Sequence, residues 1–106
     1  MSAYAVAVIR ETRFGPDVKE YLEKIDATLA PHYGKYRVHG GPYHSLEGAW
    51  SGDLVVIEFP SLEHAKAWYD SASYRAIRPL RQNNTAGDVF LVSGVSDAHK
   101  ATGILG

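Results

Sequence analysis

The strand-like segments of this sequence are hydrophobic at both odd and even positions. Residues 3–12 read AYAVAVIRET, residues 53–59 read DLVVIEF and residues 88–95 read DVFLVSGV. Successive side chains of a strand point to opposite faces of a sheet, so a sheet with one wet face shows a clean alternation of polar and apolar residues. Only isolated positions such as Glu58 and Ser93 are polar here. The sequence therefore predicts a sheet that must be covered on both faces.

Two amphipathic helices are predicted between these strands. The first begins at Pro16, which suits the first helical position, and weakens at Pro31 before ending near Gly34. Its apolar stripe has the three- and four-residue spacing of a surface helix and consists of Val18, Tyr21, Leu22, Ile25 and Leu29. The second follows Ser61, a predicted cap, and breaks at residues 71–73. A further helical stretch with Tyr74, Ile77 and Leu80 comes next, which we expect Pro79 to distort.

The remaining segments complete the predicted order of strand, helix, strand, strand, helix, strand. Residues 35–39 alternate as a short strand, and residues 40–52, with four glycines and a proline, form an irregular arm or an extended hairpin. Asn83, Asn84 and Gly87 are interpreted as a loop before the last strand. Residues 1–95 are then a single domain, and residues 96–106 a flexible C-terminal tail of small residues.

This order is typical of a ferredoxin-like α+β fold, βαββαβ, with a four-stranded antiparallel sheet. Right-handed crossovers place both helices on one face of that sheet. Two helices cannot cover two apolar faces, and exposure of a large hydrophobic side chain forgoes about 1.5–3 kcal/mol. A second copy of the chain is the simplest cover for the other face. We therefore expect a homodimer that packs sheet face against sheet face.

Composition and charge exclude several classes of protein. The formal net charge of -1 supplies no general attraction for the phosphates of nucleic acids. The absence of cysteine excludes disulfides, thiolate zinc sites and thiol nucleophiles. The first residues lack a basic leader and reach Arg10 and Glu11 too early for a signal peptide or a membrane span. We expect a cytoplasmic protein without nucleic-acid or membrane partners.

Residues 54–74, LVVIEFPSLEHAKAWYDSASY, resemble the central signature of a small bacterial family known as domain of unknown function 1330. The resemblance covers about residues 3–95, and it includes Glu20-Tyr21, Gly40-Gly41, Leu46-Glu47-Gly48, Arg81 and Val92 to Val95. It implies the dimeric α+β barrel fold and leaves the chemistry open, because the family has no established reaction. Two positions depart from the pattern: Gly34-Lys35 replaces a glycine pair, and His39 replaces an arginine.

Two residues are candidates for acid or base chemistry. His39 precedes Gly40 at a strand end, and its imidazole titrates near neutral pH. Alternatively, it only hydrogen-bonds the arm. Glu58 interrupts an apolar strand. A carboxylate facing the core requires a partner or a raised pKa, as a general base has, whereas one facing the dimer would pair with an arginine.

Cationic and aromatic side chains are candidates for substrate binding. Tyr74, Arg78 and Arg81 recur about one helical turn apart, and could line a cleft for a carboxylate or enolate. Alternatively, they form a charged rim that holds Glu47 or Glu58. Trp50 and Trp68, with Tyr69, could provide an aromatic wall. Trp68 also suits the core, and Trp50, in the arm, could insert into a partner subunit.

No motif for a metal, nucleotide or serine nucleophile is present. The five histidines never fall four residues apart on one predicted helix, and Gly40-Gly41-Pro42 lacks the lysine and hydroxyl residue of a phosphate loop. We therefore expect no metal and no cofactor. The sequence predicts a small dimer that binds or transforms an aromatic or carbonyl compound without metal or nucleotide. The alternative is a non-catalytic ligand-binding or protein-interaction module, and the sequence does not decide between them.

Overall fold

A computed structural model describes all residues, 1–106. The principal elements follow one another as β1 (Ala3–Thr12), α1 (Pro16–Leu29), β2 (Lys35–His39), β3 (Asp53–Phe59), α2 (Leu62–Tyr69), α3 (Ala72–Gln82) and β4 (Thr85–Ser93). Short 3-10 turns lie at Ala30–His32 and Ala101–Leu105. None of the helices is both long enough and apolar enough to cross a membrane.

The four strands form one antiparallel sheet in the order β2-β3-β1-β4, which confirms the predicted ferredoxin-like α+β fold. The two central strands, β1 and β3, are the apolar segments AYAVAVIRET and DLVVIEF. Within one chain the sheet is open, with β2 and β4 at its edges, and does not close into a barrel.

The helical layer contains three helices, because the predicted second helix is interrupted. Ser61 caps α2 by accepting a hydrogen bond from the His64 N–H at 3.2 Å, and Ser71 caps α3 by accepting one from the Tyr74 N–H at 3.3 Å. A serine side chain that captures a free N–H group at a helix start favours a new helix over continuation of the old one. The break is therefore confirmed, although α2 already ends at Tyr69. Pro79 lies inside α3.

The core lies between the helices and one face of the sheet. Phe59 and Tyr74 are the largest fully buried side chains. The other members of the core cluster come from the sheet and from all three helices: Ala5, Tyr21, Ile25, Leu29, Ile57, Ala65, Trp68 and Ile77. We call this side of the sheet the helix face.

The opposite side of the sheet is mostly apolar, with the charged residues Glu58 and Asp88 toward its two ends. Strand alternation and register place these residues together on what we call the open face: Tyr4, Val6, Val8, Val38, Leu54, Val56, Phe90 and Val92. Phe90 is 47% exposed and Val92 is 44% exposed. The helices lie on the other side of the sheet, so no helix covers this surface within the chain. The sequence prediction of two apolar faces agrees with this arrangement.

The start of the last strand differs from the prediction. β4 begins at Thr85, and Gly87 is paired with Ile9 of β1 instead of lying in a loop. A Cβ atom at Gly87 would lie 2.2 Å from the Val8 carbonyl oxygen. The β1–β4 register also shifts beyond Ile9. Glycine is therefore needed here for close backbone approach within a strand, and not for a turn.

The arm, residues 40–52, has no helix or strand, which fits the irregular arm and not the extended hairpin. The Tyr43 phenol ties it to the sheet by accepting a hydrogen bond from the Leu54 N–H at 2.7 Å. Gly52 closes the arm with φ of 109°, and a Cβ atom there would lie 2.1 Å from the Ile9 carbonyl oxygen. Only glycine combines that backbone conformation with so close a contact.

Candidate functional site

A cavity of about 280 Å³ lies between the helix face of the sheet and helices α1 and α3. Of its 21 lining residues, 15 are hydrophobic, so its walls suit an apolar molecule. Apart from Val89 of β4, its exposed lining residues include Phe14 just after β1, His39 at the end of β2 and Asp53 at the start of β3. We call this side the mouth, and it comprises Phe14, Leu22, His39, Gly40 and Asp53.

Two tyrosines meet inside the cavity. Tyr21 of α1 and Tyr74 of α3 are buried, and their phenol oxygens are 2.8 Å apart. The rings meet edge to face, with centroids 6.2 Å apart. A phenol carries one proton to donate, so the pair uses one proton and leaves the other for a further acceptor. Burial, followed by the neighbouring Tyr74, raises the pKa of Tyr21 far above its ordinary value. Tyr21 is therefore a neutral phenol at neutral pH.

Arg81 lies on α3 two turns after Tyr74 and lines the same cavity. Its backbone carbonyl is fixed by a hydrogen bond from the Thr85 hydroxyl at 2.9 Å. Burial lowers the pKa of the Arg81 guanidinium, but the Tyr74 and Tyr21 phenols beside it raise the pKa, and the net shift is upward. The guanidinium is half-buried and charged.

No carboxylate neutralises this guanidinium. The ion pairs of the structure join Arg10 to Asp88, Lys24 to Glu20 and Arg37 to Glu58, and none includes Arg81. Asp53 is the single acidic residue that lines the cavity, and it is exposed at the mouth. The positive charge of Arg81 is therefore unpaired within the chain.

Trp68 forms one wall of the cavity and is also a core residue. Its indole N–H donates to the Thr28 hydroxyl oxygen at 3.0 Å, and that hydroxyl donates to the Ile25 carbonyl at 2.7 Å. Its ring lies 4.1 Å from the Tyr74 ring, centroid to centroid. Trp68 is thus a core residue that also lines the cavity, and its role as an aromatic wall for a ligand stays a prediction.

His39 stands at the mouth, stacked on a tyrosine. The His39 and Tyr36 rings are nearly parallel, with centroids 4.6 Å apart and an interplanar angle of 18°. His39 itself is exposed. Burial, followed by the charge of Asp26, raises the pKa of Tyr36 to about 12. The mouth therefore carries one exposed imidazole, His39, stacked on Tyr36.

Three of the candidate residues lie outside the cavity. Glu58 is on the open face, where the Arg37 guanidinium donates to its carboxylate at 2.7 Å. Hydrogen bonds from Ser2 and from Arg37 hold the pKa of the Glu58 carboxyl below its ordinary value. This is the arginine pairing that the sequence analysis gave as the alternative to a general base.

Arg78 and Trp50 are also away from the cavity. The Arg78 guanidinium donates to the Tyr69 carbonyl at 3.2 Å and lies 4.5 Å above the centroid of the Tyr69 ring. Trp50 packs edge to face against Tyr43 in the arm, with centroids 6.0 Å apart, and is 43% exposed. The structure thus brings together His39, Trp68, Tyr74 and Arg81, and it places Glu58, Arg78 and Trp50 elsewhere.

Sequence reasoning did not select Tyr21 or Tyr36 for the site. Tyr21 belongs to the apolar stripe of α1, and its hydrogen-bond partner is 53 residues away. Tyr36 has an aromatic partner three residues later in the same strand, His39. The structure also contains no group of three or more histidine, aspartate or glutamate side chains that could hold a metal ion.

Comparison with known proteins gives the fold and the family. A protein of unknown function from Rhodopseudomonas palustris superposes with a TM-score of 0.68 at 16% identity, covering 90% of this chain and 83% of that chain. A dimeric ferredoxin-like protein of unknown function from Jannaschia gives 0.59 at 13%, covering 91% and 100%. One from Thermobifida fusca, likewise dimeric, ferredoxin-like and of unknown function, gives 0.50 at 15%, covering 91% and 92%. These identities support the fold alone.

A search of curated proteins found no significant match. The sequence matches the family model for the domain of unknown function DUF1330 over residues 2–95. This range contains every strand and every α-helix of the structure. The chain therefore belongs to the DUF1330 family.

Proposed function

We propose that the cavity binds a small aromatic or carbonyl compound. The observation that carries this proposal is an apolar cavity into which a phenol pair and an unpaired guanidinium converge. Binding pockets combine mostly apolar walls with a few polar groups that fix orientation. The volume of about 280 Å³ is close to the lower end of the range for such pockets, roughly 300–1,000 Å³. It suits a compound with one or two rings.

Each part of the cavity has a role in this proposal. The body of the compound packs on Ile57 and Trp68, and its oxygen accepts hydrogen bonds from the Tyr21–Tyr74 pair or from Arg81. If the bound compound is transformed, His39 at the mouth is the group that exchanges a proton with it. If it is not transformed, the same contacts make a ligand-binding module.

Native mass spectrometry with a panel of aromatic and carbonyl compounds tests the proposal. Ala7 lines the cavity, so Ala7→Phe fills the space without touching the polar groups. Ala27 is exposed on α1, and Ala27→Phe is the matched control. We expect retention of at least one compound by the native chain and by Ala27→Phe, and loss of that compound in Ala7→Phe. Retention that survives Ala7→Phe, or no retention at all, contradicts the proposal.

The same experiment separates an enzyme from a binding protein. A compound recovered with a changed mass indicates a reaction, and a compound recovered unchanged indicates binding alone. Substitution of His39 by Gln would then abolish the change of mass but retain the bound compound.

We also infer that the chain forms a homodimer through the open face. Support comes from the uncovered apolar side chains, of which Phe90 and Val92 are about half exposed. It comes as well from the Jannaschia and Thermobifida proteins of the same fold, which are described as dimeric. Contiguous exposed apolar surface of this kind marks an interaction site in soluble proteins. If a different protein covers this face instead, the chain is an interaction module. The mass of the purified protein in solution distinguishes the two, because only a second copy doubles it.

A further inference from the structure

We propose that this cavity selects the ionised form of its ligand, and that it holds an anionic oxygen on a planar apolar body against Arg81 and the Tyr21–Tyr74 pair. The ligand class is then an acidic phenol, enol or carboxylic acid, bound as its anion. The inference rests on the proposed function, because it assigns a charge to the compound in the same cavity.

The Arg81 guanidinium has no counterion within the chain. A charge removed from water is costly unless a partner compensates it, and buried charges in proteins are normally paired. The guanidinium is half-buried among apolar walls and has no carboxylate partner. A ligand anion would supply the negative charge that the chain does not.

The polar side chains of the site also offer more hydrogen-bond donors than acceptors. A guanidinium has five N–H donors and no acceptor, and the phenol pair has one proton beyond the one it uses internally. The inner part of the cavity therefore presents donors in excess. Ionised oxygens accept hydrogen bonds without needing a donor in return, and hydrogen bonds from a guanidinium to them are shorter and stronger than neutral ones.

The other titratable side chains that line the cavity do not oppose an anion. They are Tyr36 and His39 from β2, Asp53 from β3, Tyr21 from α1 and Tyr74 from α3. Tyr21 and Tyr36 are phenols without charge at neutral pH, since burial raises the pKa of both. Asp53 is exposed at the mouth, where water screens its charge.

The experiment uses two probes of nearly the same shape. 4-Nitrophenol ionises to a phenolate that is seen by its visible absorbance, and 4-nitroanisole cannot ionise. We expect the chain to bind the phenolate at least about tenfold more tightly than the neutral phenol, which corresponds to a fall of about one unit in the pKa of the bound probe. The absorbance of the phenolate gives the ionised fraction of the probe at each pH. A spectrophotometric pH titration with and without protein therefore measures the shift in the pKa of the probe.

Substitutions assign the effect to Arg81. Arg81→Gln removes the charge, and we expect the bound probe to titrate like the free one. Arg75 is exposed on the same helix, so Arg75→Gln is the control for a lost charge and should leave the shift intact. Arg81→Lys keeps a positive charge and should retain the preference for the phenolate in part. Thermal unfolding of each variant shows that the fold is kept.

The outcomes separate the two levels of the proposal. If 4-nitroanisole and 4-nitrophenol bind equally well and the pKa of the bound phenol is unchanged, the inference of an anion site is wrong but the cavity remains a ligand site. If neither probe binds the native chain at millimolar concentration, the proposed function fails with it. A shift that persists in Arg81→Gln also overturns the inference, because another group then holds the anion.

Discussion

Val56→Asp is expected to separate the two copies of the chain without unfolding either. Val56 lies on β3, paired with Val6 of β1 and Val38 of β2, at the middle of the open face. In a single chain it is half-buried at the sheet surface, where a carboxylate keeps part of its hydration. Between two sheet faces the same carboxylate would be dry and surrounded by apolar side chains.

The magnitude follows from the cost of an uncompensated buried charge, about 3–5 kcal/mol. Each 1.4 kcal/mol changes a dissociation constant about tenfold, so each carboxylate weakens the dimer roughly 10²- to 4 × 10³-fold, and the dimer carries one from each copy. Sedimentation velocity at micromolar concentration should give twice the 11.6 kDa of one chain for the native protein and 11.6 kDa for Val56→Asp. Circular dichroism of the two should match.

Ile57→Asp is the contrasting substitution one residue along. Ile57 is 4% exposed and points to the helix face, so a carboxylate there should unfold the chain instead of separating two folded copies. A native chain that sediments as a monomer, or a Val56→Asp variant that stays dimeric, would show that the open face does not hold two copies together. Unfolding of Val56→Asp to the same extent as Ile57→Asp would show that Val56 does not lie on a separate open face.

Three further predictions concern the core, the open face and the arm. Thr28→Val removes the acceptor of the Trp68 indole N–H and should lower the free energy of unfolding by about 1–3 kcal/mol in a urea titration, whereas no loss would show that the bond is dispensable. The pKa of Glu58, measured by NMR, should lie below its ordinary 4.5 and return toward it in Arg37→Gln. Because folding lowers the pKa of Glu58, the ionised carboxylate stabilises the folded chain at pH values above its unfolded pKa. This stabilisation is lost as the pH falls through the folded pKa of Glu58, and an unshifted pKa would contradict the prediction. Gly52→Ala should cost about 1–3 kcal/mol from backbone strain alone, and an unchanged melting temperature would contradict the close approach described.

Much of the fold was predictable because its signals are local. Strand composition located β1, β2 and β3 within the bounds observed, and Pro16 and Ser61 marked the starts of α1 and α2. Gly87 shows where local signals fail, because glycine is found both in turns and at close strand contacts. The need for glycine at that point comes from the Val8 carbonyl of the neighbouring strand, which is far away in the sequence.

The site was predictable only in part, because it depends on contacts between distant segments. Arg81 and Tyr74 share a helix, so their spacing was visible, but helical spacing alone did not show that Arg78 turns toward Tyr69. Tyr21 enters the site only because α1 packs beside α3. Glu58 alternates with inward residues of β3, and its face depended on strand register, which sequence alone left open.

A crystal structure with 4-nitrophenol, at a pH where the free phenol is partly ionised, tests the ligand site most directly. We expect the ring in the cavity beside Ile57 and Trp68, with the phenolate oxygen within hydrogen-bond distance of Arg81 and of one phenol of the Tyr21–Tyr74 pair. A cavity that holds only water while the probe lies on the open face, or a probe whose oxygen points to His39 and the solvent, would contradict it.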